Sequence, residues 1–140
     1  MNILAVDHGS KRVGLAVGST DSGVAAPLRV LSHTGERALI EDLKAVVVGE
    51  RIDQVVVGLP LAEDGSASPQ AEIVRGFASR LEEALDVTVM LEDERLSSRE
   101  IEAHMKSMGG KKAWKSSGLN RDSAAATLFL QTYLDRMRTE

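Results

Sequence analysis

Asn2-Ile3-Leu4-Ala5-Val6-Asp7-His8-Gly9-Ser10-Lys11-Arg12-Val13-Gly14-Leu15-Ala16-Val17 is the stretch that decides the fold. Two short apolar runs, 2–6 and 13–17, flank a polar, glycine-bearing connection of hairpin length, Asp7 to Arg12. A third run, Leu28 to Leu31, follows Pro27, so the chain opens as a three-stranded meander. The pattern then switches. Leu39, Leu43, Val46 and Val47 recur at helical spacing and predict a helix over 36–50. Val55-Val56-Val57 is apolar on both parities, as a strand covered on both faces should be. Ser68-Pro69 is a good N-cap and N1 pair, and Ile73, Phe77, Leu81 and Leu85 then stack at i, i+4 as a second helix.

A fifth strand, Val87 to Leu91, runs into Glu92-Asp93-Glu94-Arg95. Ser97 with Glu100 fits a capping box ahead of a third helix carrying Ile101, Met105 and Met108, which Gly109-Gly110 stops. Asn120 is a plausible cap for a last helix ending near Met137. Three meandering strands followed by helix–strand units predict an α/β fold: a mixed five-stranded sheet with helices on both faces. No repeat or linker interrupts residues 1–140, so one domain is expected.

Composition narrows the classes. The 140 residues are 43% apolar and 27% charged, ordinary for a globular protein. No apolar run reaches the roughly 18 residues of a membrane span, and the N-terminus lacks a basic leader. Absence of cysteine removes disulfides, thiolate nucleophiles and Cys-type zinc sites together, and a cytoplasmic protein is expected. Net charge is −4, from 17 basic and 21 acidic residues, which argues against simple coating of phosphates. Yet His104 to Arg121 holds five basic residues and no acid, which leaves 12 basic against 21 acidic residues elsewhere. An acidic body carries one basic segment.

Ligands of such sheets gather at the C-terminal ends of strands, where Asp7 and the Glu92–Glu94 cluster both fall. Asp7 alone could be an ordinary turn starter, and a three-acid run alone is usually a solvated loop. Asp122 heads a stripe of Ala126, Phe129 and Tyr133, and an acid turned toward a core needs a partner or a metal. Three carboxylates without a nearby Cys or His pair suit a hard cation, Mg²⁺ or Mn²⁺. Such ions activate water and stabilise the leaving oxygen in phosphodiester hydrolysis. His8, His33 and His104 are scattered and form no triad; a loop histidine such as His8 is expected to be solvated. Lys111, Lys112 and Lys115 surround the only tryptophan, Trp114, in a segment leading to Asp122. A basic loop with one aromatic can neutralise phosphates and stack a splayed base.

Assembled, these residues resemble the YqgF (RuvX) family, Holliday-junction resolvases now usually described as pre-16S rRNA nucleases. The resemblance runs from about Ile3 to Tyr133. It rests on Ala5-Val6-Asp7-His8-Gly9-Ser10-Lys11-Arg12-Val13-Gly14, Val57-Gly58-Leu59-Pro60-Leu61 with Asp64-Gly65, Asp93-Glu94-Arg95-Leu96-Ser97, and Asp122-Ser123-Ala124-Ala125-Ala126. Where the family often carries Asn after Gly-Leu-Pro-Leu, this chain has Ala62. The resemblance implies an RNase H-like fold, with Asp7, Glu94 and Asp122 as catalytic metal ligands for Mg²⁺ or Mn²⁺. Lys11, Arg12, Arg95, Lys111, Lys112, Trp114 and Lys115 are the expected substrate contacts. The implied substrate is structured RNA, the 5′ end of pre-16S rRNA, with ribosomal particles as an implied partner and no membrane partner. Four-way DNA is the alternative, and monomer and homodimer are both open. Two further readings stand beside these: a sugar-kinase or actin-like ATPase, from Asp7-x-Gly9 and Gly14, and a non-catalytic nucleic-acid-binding module. The ATPase reading needs two lobes, which 140 residues do not hold.

Overall fold

In the computed structural model, which describes residues 1–60, 68–93 and 121–139, the opening meander forms as the sequence dictates. Strand β1 spans Asn2–His8, β2 Arg12–Ser19 and β3 Ala25–Ser32. Helix α1 (Glu36–Gly49) leads to β4 (Gln54–Leu59), and α2 (Pro69–Ala84) leads to β5 (Thr88–Asp93). The last described helix, α3, is Arg121–Thr139. The strands form one sheet in the order β3-β2-β1-β4-β5. The first three pair antiparallel, while β4 lies parallel to β1 and β5 parallel to β4. This is the mixed sheet expected. The third helix expected over 97–108 and the Asn120 cap lie outside the described residues.

Strand alternation sorts the core into two layers. Leu4, Val6, Val13, Leu15, Val55 and Val57 face α1 and α2, and Ile3, Ala5, Ala16 and Val56 face α3. Helix α1 buries Leu39, Leu43, Val46 and Val47, the stripe read from sequence. Helix α2 starts as its sequence says: Ser68 Oγ accepts from the Ala71 N–H at 3.1 Å, with Pro69 in the first turn. Of the expected stripe, Phe77, Leu81 and Leu85 are buried, but Ile73 is 54% exposed, and Ala71, Val74 and Ala78 complete the core face.

Helix α3 runs antiparallel to β1. A Cβ added to Gly18, the partner of Ile3, would lie 2.8 Å from Leu134 Cδ1 and 3.3 Å from Leu130 Cδ2, so a larger residue there would displace these two leucines of the helix. Near the same end, Gln131 receives the Ala25 N–H at 2.9 Å and donates to the Gly23 carbonyl at 2.9 Å. No described helix is long and apolar enough to cross a membrane.

Candidate metal site at the C-terminal edge of the sheet

Asp7 lies next to the last residue of β1, half-buried and paired with Gly14 of β2. By alternation it shares the face of Ile3 and Ala5, the face covered by α3. The start of α3 reaches the same level. From Gly18 to Gly14 the sheet rises about 13 Å at about 3.3 Å per residue. From Leu130 back to Asp122 the helix covers about 12 Å at 1.5 Å per residue. The backbone therefore brings the first turn of α3, which holds Asp122, to the sheet edge that ends in Asp7. Helix N-termini carry partial positive charge, which favours carboxylates gathered there.

Of the acids that end β5, two are described, and they differ in use. Val89 and Leu91 pack with the α1/α2 layer, which sets Asp93 on that side by alternation. Glu92 faces α3 and forms an ion pair with Arg136, leaving its side chain only 16% exposed. Glu92 is thus already neutralised by a cation. Glu94, which the family resemblance favours, follows directly on β5 and lies outside the described residues, as do Arg95, Lys111, Lys112, Trp114 and Lys115. Among the described residues no group of three His, Asp or Glu side chains is placed to hold a metal. The described donor chemistry at this edge is carboxylate oxygen on the α3 side, which fits a hard divalent cation.

Lys11 and Arg12 are exposed at the turn that follows Asp7, at the same sheet edge. Gly9 shapes that turn: a Cβ there would collide with the Arg12 carbonyl oxygen.

His8 does not sit in a solvated loop. Strand β1 includes it, so its side chain points away from Asp7 into the α1/α2 layer. Its ring centroid lies 4.4 Å from that of Phe77 and 5.1 Å from that of His33, the latter edge-on. Burial, and then the neighbouring His33, lowers its pKa from the ordinary 6.5, so the imidazole is neutral at neutral pH. Beside it Arg80 grips Glu36 with two hydrogen bonds of 2.6 and 2.8 Å, which hold the Glu36 carboxyl below its usual range. Neither this cluster nor the Glu92–Arg136 pair is visible in sequence spacing. Each joins residues more than 20 positions apart, and only an expected topology would have suggested that they meet.

The geometry agrees with the comparisons. Residues 1–136 match the family described as RuvX, Holliday junction resolvase. A relative from Maridesulfovibrio salexigens, named as a pre-16S rRNA nuclease, is 38% identical over 137 residues, covering 97% of this chain and 99% of its own. Another of the same name from Chloroflexus aurantiacus is 41% identical over 139 residues, covering 98% of this chain and 88% of its own. Among solved structures, Thermus thermophilus RuvC superposes with a TM-score of 0.63 at 17% identity, over 99% of this chain and 96% of that one. The Fowlpox virus resolvase, solved with Holliday junction DNA, gives 0.60 at 14% identity over 98% and 99%. These likenesses make the mixed sheet and its helices RNase H-like. With the family match spanning nearly the whole length and two relatives near 40% identity, the chain belongs to the RuvX family.

Proposed function

We propose that this protein is a divalent-metal-dependent endonuclease that hydrolyses phosphodiester bonds in structured RNA, acting on the 5′ end of precursor 16S rRNA. The observation that supports the reading is Asp7 at the C-terminal end of β1, on the face that α3 covers, in a chain whose relatives bear that name. Residues 1–140 act as one nuclease domain in the cytoplasm. Asp7, Glu94 and Asp122 would hold Mg²⁺ or Mn²⁺. A bound ion of this kind supplies an activated water and stabilises the leaving oxygen. The chain's own part is to orient the phosphodiester and neutralise its charge. Lys11, Arg12 and Arg95 contact phosphates near the acids, and Lys111, Lys112, Trp114 and Lys115 hold the flanking strand.

The basic segment has a defined signature. Replacing Lys111, Lys112 and Lys115 with Ala should weaken RNA binding and lower the salt slope by about 2–3, at roughly 0.7–0.9 per phosphate contact. Trp114→Ala should cost about 1–3 kcal/mol on single-stranded or branched substrate and less on plain duplex. An unchanged affinity and slope in the triple-Ala protein would place substrate entry elsewhere.

The family description also names Holliday junctions, so four-way DNA is the competing substrate. Purified protein incubated with precursor rRNA and with four-way DNA, with and without Mn²⁺, distinguishes them. The proposal expects metal-dependent cuts mapped near the 5′ end of 16S rRNA. Cleavage of the DNA junction alone makes the protein a resolvase, and binding without cleavage of either makes it a non-catalytic module.

A further inference from the structure

Most of α3 docks through apolar side chains, Phe129, Leu130 and Leu134 among them. Such contact is non-directional, and on the β2–β3 side Gln131 anchors the helix through Ala25 and Gly23, leaving its β5 side to be fixed separately. One row of polar contacts ties it to the far side of the sheet. Gln54, buried at the start of β4, donates to Tyr133 Oη at 3.1 Å and approaches Met90 Sδ of β5 at 2.7 Å. Tyr133 Oη also points to Met90 Sδ at 3.8 Å. The Arg136 guanidinium lies 5.7 Å from the Tyr133 ring centroid and pairs with Glu92, one residue before the end of β5.

The geometry points to Arg136 and Glu92 as positioning residues: their pair fixes the register of α3 against β5, and so the placement of the helix over the sheet face that carries Asp7. The inference rests on the metal-nuclease reading, because its consequence is catalytic. A charged hydrogen bond is directional where the apolar interface is not. Arg136 is half exposed, so the pair adds little to global stability. Its role is alignment, and misplacement by about 1 Å can cost a site of this kind 100-fold.

Arg136→Met, which keeps the aliphatic stem and removes the charge, tests this in the full chain. The expected result is kcat lowered about 10-fold with KM changed less than about twofold, and Mn²⁺ half-saturation raised about fivefold, from the misalignment principle above. Arg136→Lys should recover part of the loss, and the Glu92→Arg/Arg136→Glu exchange most of it. The chain contains no cysteine, so nitroxide labels at Ala125→Cys and Thr88→Cys report the α3–β5 distance cleanly. That distance should shift or broaden by about 1–2 Å in Arg136→Met and return in the exchange variant. Wild-type kinetics in Arg136→Met, or lost kinetics with an unchanged distance, would overturn the positioning role. If the wild type cleaves nothing, the nuclease reading fails by itself, and unchanged distance or Mn²⁺ half-saturation in Arg136→Met then overturns this one.

Discussion

Asp7→Asn should lower metal-dependent cleavage about 10³-fold or more while the protein stays folded. A carboxylate that binds a catalytic cation contributes through the several kcal/mol of charge stabilisation that the ion supplies, and about 4 kcal/mol is 10³ in rate. The amide keeps the size of the side chain and cannot carry its charge. Backbone pairing of Asp7 with Gly14 does not depend on that charge. Removing one of several converging carboxylates also relieves like-charge repulsion in the metal-free protein, so the melting temperature should hold or rise. Single-turnover cleavage and a thermal melt of the same preparation check both halves. Full cleavage by Asp7→Asn would remove Asp7 from the site.

Phe77→Ala acts on the other side of the sheet and by another mechanism. Phe77 is fully buried, is with Phe129 the largest fully buried side chain among the described residues, and lies under the His8 ring. Truncation leaves a cavity between α2 and the sheet and should cost about 3–5 kcal/mol. Natural domains hold about 5–15 kcal/mol, so this takes a large share of the total. The cavity also removes the support under His8, the neighbour of Asp7, and cleavage should fall along with stability. Urea unfolding gives the number, and a loss below about 1 kcal/mol would show that the layer repacks around the gap.

The two layers were legible because strand alternation and the doubly apolar run Val55–Val57 leave few alternatives. Asp7 was placed by the same logic: it shares parity with Ile3 and Ala5, and the structure covers that face with α3. The stripe of Ala126, Phe129 and Tyr133 that fixes the inner face of α3 is legible in the sequence, and all three are buried. The stripe of α2 holds at Phe77, Leu81 and Leu85 and fails at Ile73 for a physical reason. Steps of four residues advance about 40° around a helix, so Ile73 falls off the edge of an arc centred between Phe77 and Ala78. The small side chains of Ala71 and Ala78 complete that arc, and large-residue patterns overlook them. His8 was misplaced because the strand runs one residue past the point where polarity suggests a turn. The Glu92–Arg136 pair spans 44 positions, and no local spacing could announce it.

Everything functional turns on whether Asp7 and Asp122 share one cation. Melting temperature measured against Mn²⁺ concentration tests this without any substrate, because an ion that binds only the folded state stabilises it by about 2.7 kcal/mol at 100 times its Kd. The wild type should show a saturable site whose melting temperature keeps climbing with the logarithm of Mn²⁺ concentration, and Asp7→Asn/Asp122→Asn should show no response. An equal rise in the double variant would mean that the ion binds elsewhere, and that these two acids do not form the metal site.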